Sequence, residues 1–291
     1  MDNRSQEIRL RRTSKQPWLS RDVTAVPTAK QGIVVLPPTE VRDSLGRPAT
    51  RRRYQIRLAS SAADRDAVMR LRFQVFHLEL GAGLASSLIE EKDEDAFDAI
   101  CDHLLVEELA ENQQTGCVVG TYRMQSGLTA LGKLGYYSAR EFDLTPYEQL
   151  RPVMLELGRA CIHREHRSMQ VLMLLWRGII DYAQRQSLRY LIGCSSLTGT
   201  NPADGAVVYR SLQNFLAPPE MRTVPRPAFA LPLEEQPEKH LDPPKLLRAY
   251  LAMGACICGP PALDAEFGSI DFLTLMDLAC MSPAGQARFL R

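Results

Sequence analysis

The pattern that most restricts this chain's fold lies between residues 152 and 196. PVMLELGRACI (152–162) reads as a strand, SMQVLMLLWRGIIDYAQRQ (168–186) as a strongly apolar helix, and YLIGCSS (190–196) as a second strand. Two strands joined through a helix lie parallel in one sheet, because a parallel pair needs a long crossover connection. Upstream, YQIRLAS alternates apolar and polar residues, which predicts a strand at 54–59. Ser61 and Asp64 stand at capping-box spacing before Val68, Leu71, Val75 and Leu78 at helical spacing, so 61–80 reads as a helix ended at Gly81. HLLVEEL (103–109) and CVVGTYRMQ (117–125) form an expected antiparallel pair. Downstream come a helix near 204–216, a helix at 245–253, strands at 255–259 and 270–278, and a last short helix. The order implies an α+β fold: a mixed, mostly antiparallel sheet with one β-α-β crossover, helices on both faces, and a C-terminal strand-bearing extension.

Composition divides the chain further. Residues 1–53 hold 12 Lys and Arg against 5 Asp and Glu, leaving 23 against 29 in the remainder. This leader contains five prolines and no sustained periodicity, and reads as a basic, mostly disordered tail with GIVVLPP (32–38) as a short extended piece. The expected divisions are this tail, a core over 54–216, a proline-rich linker over 217–244 and a C-terminal α/β extension over 245–291 packed on the core. No apolar run approaches the roughly 20 residues that span a bilayer, and the N-terminus lacks the apolar stretch of a secretory signal. Seven cysteines without a CxxC pair argue against a zinc ribbon or a disulfide scaffold and for reduced thiols in the cytoplasm. The leader has no interleaved aromatics beyond Trp18 and no recognition motif, so no nucleic-acid partner is expected.

The 152–162 strand carries the most informative chemistry. Glu156 and Arg159 would face opposite sides of a regular strand, but Gly158 between them suggests a bulge that brings both to one face. A bulge there would also splay the strand from its neighbour and free a backbone N–H. A free N–H beside a carboxylate suits acyl transfer: one donates to an acyl oxygen, the other takes a proton from an amine. The competing reading is a buried ion pair of Glu156 with Arg159 or Arg123. Arg72 and Phe76 share a helical face beside core residues, which turns Arg72 toward a carboxylate or leaves it at the stripe's edge. Arg123, in mid-sheet, needs a partner, and Glu156, Asp95 or Asp98 could serve. His163 and His166 form an HxxH pair without a third ligand type nearby in sequence, and no metal is expected.

Together, Arg72 and Phe76 in RLRFQVF, Asp95 and Asp98 in DEDAFDAICDHLLV, Arg123 in GTYRM, and Glu156 and Arg159 in ELGRACIH resemble the acyl-homoserine lactone synthases, a branch of the GCN5-related N-acetyltransferase (GNAT) fold. The chain is still more similar to the bacterial ornithine lipid N-acyltransferases, once called haemolysin-like proteins. FDAICDHLLV, VGTYRM, LLWRGI, YLIGCSSL and YLAMGACICGPPALDAEFGSIDFLTLMDL carry that likeness, from about residue 54 to 280. Two departures stand out. Ala82 occupies the position of the lactone synthases' tryptophan, against S-adenosylmethionine binding. REHRSMQ (164–170) lacks the glycines with which ordinary GNAT enzymes hold coenzyme A pyrophosphate.

The resemblance implies an N-acyltransferase that moves a 3-hydroxyacyl chain from acyl carrier protein to the α-amine of ornithine, giving lyso-ornithine lipid. No cofactor is bound permanently; the acyl-phosphopantetheine thioester of the carrier protein is a co-substrate. Glu156 and Arg159 are the expected catalytic pair. Arg72, Phe76, Asp95, Asp98 and Arg123 are the substrate-binding set, and Gly158, Arg164, Arg167 and Ser196 the donor-binding set. His166 joins Arg164 and Arg167 as a candidate contact with the acidic carrier protein. The basic leader fits peripheral attachment to an anionic membrane surface from the cytoplasmic side. Two alternatives stay open at this level: the same fold acylating another amine (glycine, glutamine or a signal-molecule precursor), and a non-catalytic GNAT-like binding module.

Overall fold

A computed structural model describes residues 34–35, 52–83, 86–109, 116–233, 240–282 and 285. Most of the basic leader therefore lies outside the described residues. Its extended piece enters the sheet as β1 (Val34–Val35), paired antiparallel with β2 (Arg53–Leu58). Helix α1 (Ala62–Phe73) follows, then α2 (Ser87–Glu90), β3 (Asp102–Leu109), β4 (Cys117–Ser126), α3 (Gly127–Gly132) and β5 (Met154–Ile162). After β5 come α4 (Met169–Arg185), β6 (Tyr190–Thr198), α5 (Pro202–Ser211), α6 (Lys245–Ala252), β7 (Cys256–Ile257), β8 (Ala262–Asp264) and β9 (Ser269–Asp277). One sheet of order β1-β2-β3-β4-β5-β6-β9-β7, with β8 also on β9, contains them all. β5 and β6 pair in parallel and the other pairs are antiparallel, which is the α+β, GNAT-like arrangement expected from the crossover pattern.

The local signals explain the elements. Ser61 accepts from the Asp64 amide while Asp64 accepts from the Ser61 amide, closing the capping box that starts α1. Ser168 caps α4 in the same manner through the Val171 amide. Helix α4 covers one face of the sheet, where Leu174, Leu175, Trp176 and Ile179 pack with Ile56, Leu104, Tyr122 and Met124. Helix α1 lies on the other face, with Leu71, Val75 and Phe76 against Cys161.

The expected 61–80 helix forms, but its last turns, Gln74–Glu79, are π-helical. The wider turn shifts the side-chain phase. Leu78, placed in the core stripe by its 3.6-residue spacing, is consequently 69% exposed. The proline-rich stretch after 216 is laid along the molecule rather than extended away from it. It carries short 3-10 turns at Pro219–Met221 and Pro227–Phe229, and bridges Pro225 to Phe142 and Ala230 to Ala262. Among the described residues no helix is long and apolar enough to cross a membrane.

Candidate active site

The site begins with a fault in the sheet. β5 and β6 pair only from Met154–Tyr190 to Glu156–Ile192, and beyond that the ladder ends. Opposite, the β4 register runs Arg123 to Gly158 but Thr121 to Cys161, so β5 carries one extra residue there. This is the expected bulge, with a difference in which residue bends. Gly158 has no positive φ, whereas Arg159 takes φ = 49°, the left-handed region that non-glycine residues rarely adopt. Such a residue persists only where its surroundings hold it. Two rings do so: the guanidinium carbon lies 4.6 Å from the Phe267 ring centre and 5.0 Å from that of Tyr137. At the crotch of the resulting V stands Gly193, where a Cβ would come within 2.2 Å of the Leu157 carbonyl oxygen.

Two cavities open from the V. The larger, about 270 Å³, is lined by Leu157, Gly158 and Ala160 on one arm and Gly193, Ser195 and Ser196 on the other. It reaches Tyr122, Trp176 and Met276 on the α4 side, and Phe76 and Phe267 on the α1 side. It therefore threads the sheet through the gap between β5 and β6, and its walls are mostly apolar. The smaller, about 60 Å³, is polar: Arg123, Gln125, Tyr137, Ser138, Glu156, Arg159, Ser196, Asp264 and Asp271 contribute to it. Gly158, Arg159 and Ser196 belong to both.

Glu156 is 5% exposed and pairs with neither Arg159 nor Arg123, which removes the ion-pair reading. Its carboxylate accepts instead from the Tyr137 amide (2.8 Å), the Ser138 amide (2.8 Å) and the Ser138 hydroxyl (2.6 Å). These donors belong to the 3-10 turn Tyr137–Arg140. Burial raises the Glu156 pKa, and the hydrogen bonds oppose that rise. A fixed, partly desolvated carboxylate at a cavity wall can accept a proton from a bound group.

The arginines pair elsewhere. Arg72 is 0% exposed and holds Asp93 and Asp98, the latter at 2.7 Å. Arg123 binds Asp95 (2.6 Å) and Asp98 (3.1 Å), and Arg159 lies near Asp93 (3.2 Å) and Asp95 (3.1 Å). Three guanidinium groups thus meet three carboxylates. The arginines hold the Asp98 carboxyl far below its usual range against the opposing effect of burial. Arg72, Asp95 and Asp98, expected among the substrate-binding residues, line neither cavity; only Arg123 and Arg159 of this network do. Phe76 lines the apolar cavity and packs edge-on against Phe267 at 5.6 Å.

At the entrance to α4, Arg164 and Arg167 are exposed, and Arg167 is joined to Glu79. His166 is 9% exposed and faces inward, its Nδ1 3.0 Å from the Tyr54 hydroxyl, so it is no surface contact for a carrier protein. Glu165 supplies the third donor that the HxxH reading lacked, since His163, Glu165 and His166 bring ligand atoms within 4.8 Å of one another. The Arg52 guanidinium lies 3.0 Å from His166 Nδ1, a cation that opposes a metal there. Burial pushes the Cys101 and Cys161 thiols up to about 12 and the Cys194 thiol well above the ordinary range, which suppresses the nucleophilic thiolate.

Sequence reasoning missed Gln125 and Glu141 of the polar cavity's surroundings, and it named Asp264 and Asp271 as possible substrate contacts but preferred turn and strand-edge roles for them. Gln125 faces Glu156 across the β4–β5 pair. Asp271 lies in mid-sheet on β9, flanked by Ser196 and Ala262, so it is not at a strand edge. Glu141, 1% exposed, lies beside it. Asp271 left a signal, because in IDFLTL it shares a strand face with buried Leu273 and Leu275. Glu141 left none, since it falls in an irregular segment.

A split between parallel strands, a bulge on one arm, a fixed carboxylate and an apolar cavity through the gap together define an N-acyltransferase of GNAT fold. Residues 71–177 match the acetyltransferase (GNAT) domain family. The chain belongs to the L-ornithine N(alpha)-acyltransferase family. It is 35% identical over 245 residues to the protein of that name from Brucella abortus, covering 78% of this chain and 85% of the relative. It is 31% identical over 269 residues to the one from Agrobacterium fabrum, covering 87% and 91%. Among solved structures, that of FeeM, an N-acyl amino acid synthase from uncultured soil microbes, covers 81% of this chain and 98% of its own at a TM-score of 0.50 and 11% identity, a likeness of fold.

Proposed function

We propose that this enzyme transfers a 3-hydroxyacyl chain from acyl carrier protein to the α-amine of ornithine, giving lyso-ornithine lipid. The observation that carries the reading is the junction of the two cavities at Gly158–Arg159, where an apolar channel meets a polar pocket holding Glu156. The names of the relatives supply the amine. The acyl chain lies in the channel, and the phosphopantetheine amides pair with the edge of β5 that β6 leaves beyond Glu156. The α-amine, neutral at the moment of attack, adds to the thioester carbonyl. An amide C–N bond forms, the ammonium proton passes to Glu156 directly or through water, the C–S bond breaks, and that proton passes on to the departing sulfur, which releases the pantetheine thiol. Backbone N–H groups at the bulge stabilise the oxyanion. Arg123 and Arg159, the network members that reach the pocket, face the α-carboxylate, while Arg72, Asp95 and Asp98 position them.

The donor enters past the start of α4, where exposed Arg164 and the Arg167–Glu79 pair offer basic contacts to an acidic carrier protein. Leu78 and Leu80 stand 69% and 42% exposed on the π turn, and Leu80 also lines the channel, which suits release of a lipid product at a membrane surface. The test incubates the purified full-length protein with 3-hydroxypalmitoyl-acyl carrier protein and ornithine and reads the product by mass spectrometry. Ornithine carrying one acyl amide is expected, and Glu156→Gln reduces its formation by about 10²–10⁴-fold without loss of folding. Full activity in that variant removes Glu156 as the base.

A further inference from the structure

Asp264 and Asp271 line the polar cavity, and Glu141 lies beside Asp271 behind its wall. Glu141, Asp264 and Asp271 are 1%, 7% and 4% exposed, and among the described residues none of the three is in an ion pair. The Glu141 and Asp271 oxygens and the Cys194 sulfur lie within 4.8 Å of one another. Arg140 pairs instead with exposed Glu266 at 3.1 Å and lies over the Tyr137 ring. Burial, together with the neighbouring acids, pushes the Glu141 carboxyl well above its usual range, and burial raises that of Asp271. A folded protein does not ordinarily leave carboxylates together and out of water without a cation.

A second observation points the same way. Gln125 is 3% exposed and lines the same cavity; its Nε2 donates to the Gly135 carbonyl at 3.0 Å, but its Oε1 has no hydrogen-bond partner. A buried acceptor without a partner awaits a donor from a ligand. The donors required are N–H groups, and the charge required is positive.

We propose that Glu141, Asp264 and Asp271, with Gln125, form the subsite that recognises the side-chain ammonium of a diamino acid substrate. This rests on the reading of the enzyme as an ornithine acylase and specifies how that amine is told from others. The division of labour then follows from charge: Arg123 and Arg159 for the carboxylate, Glu156 for the proton, and the acids for the ammonium. Asp264 is placed by the turn it also supports, accepting from the Phe267 amide at 2.9 Å. Phe267 in turn lies against Arg159, so the loop that holds Asp264 also touches the bulge.

The experiment compares ornithine with norleucine, which puts a methyl where ornithine has its side-chain amine. For the wild type we expect ornithine to be preferred by at least about a hundredfold in kcat/KM. Glu141→Gln and Asp271→Asn should lose at least about tenfold of that preference, mainly through a raised KM for ornithine. Ornithine should also raise the wild-type melting temperature more than an equal concentration of norleucine does, a readout that needs neither turnover nor a folded variant. Transfer to ornithine with the preference unchanged in both variants, or equal thermal shifts from the two amino acids, overturns the subsite and leaves the proposed reaction standing. Absence of any transfer to ornithine by the wild type overturns the reaction itself, and this subsite with it.

Discussion

Two groups of buried acids flank the polar cavity, and they are built on opposite principles. Asp93, Asp95 and Asp98 face Arg72, Arg123 and Arg159, three charges against three, every one at ion-pair distance from an opposite charge. Glu141, Asp264 and Asp271 face no arginine or lysine at ion-pair distance among the described residues. In the first group Arg72 and Arg123 hold the Asp98 carboxyl far below its usual range. In the second, burial and the neighbouring acids raise the Glu141 carboxyl, and burial raises that of Asp271. Similar residues therefore serve different ends. A completed network fixes geometry, whereas an incomplete one stores an interaction for a ligand at a cost to stability.

Breaking the completed network should have the largest effect. Arg72→Met leaves Asp93 and Asp98 buried with fewer cations and should lower folding stability by about 3–5 kcal/mol, measured by denaturant unfolding. A loss below about 1 kcal/mol would remove the network as a structural unit. Glu141→Gln should act in the reverse sense, raising stability at neutral pH by on the order of 1 kcal/mol while impairing use of ornithine. Cys194→Ser should leave acyl transfer within about threefold of wild type, because a thiol held protonated is not the nucleophile; abolished turnover with normal folding would point to a covalent intermediate. Smallest of all, Arg167→Ala at the exposed pair with Glu79 should change stability by less than about 1 kcal/mol. A rise in KM for the acyl carrier protein without that stability change would place Arg167 in donor docking.

The completed network was largely legible in the sequence. Arg72 on a core-facing helix side, Arg123 in mid-strand and the acids in DEDAFDAICD had to find one another, because buried charge demands a partner. Which acid met which arginine was not legible, nor that Asp93 takes part. The bulge was read from Gly158, yet the left-handed residue is Arg159, whose conformation depends on Phe267 and Tyr137, each distant in sequence. For Glu156 an ion pair with an arginine was the competing reading; it instead meets amides of a 3-10 turn, an element with no periodic signature. The incomplete cluster was the least legible part. Its members come from an irregular segment, a turn and a central strand, and only the sheet order places β9 beside β6.

The contrast between the two groups is tested most directly by melting temperature as a function of pH for the wild type, Asp98→Asn and Glu141→Gln. Asp98 has a folded pKa below its unfolded value of about 3.9. Its contribution is therefore full above that value and is lost as pH falls, and the wild-type advantage over Asp98→Asn should shrink on acidification. Glu141 has a folded pKa above its unfolded value of about 4.3. The folded state then holds the extra proton, so the wild type should lose ground to Glu141→Gln as pH rises from about 5 to 8. Saturating ornithine should reverse that loss. Curves of opposite slope for the two variants are the predicted result. Parallel curves would mean that both groups of acids are neutralised in the same way, and would contradict the division between a closed network and one left open for substrate.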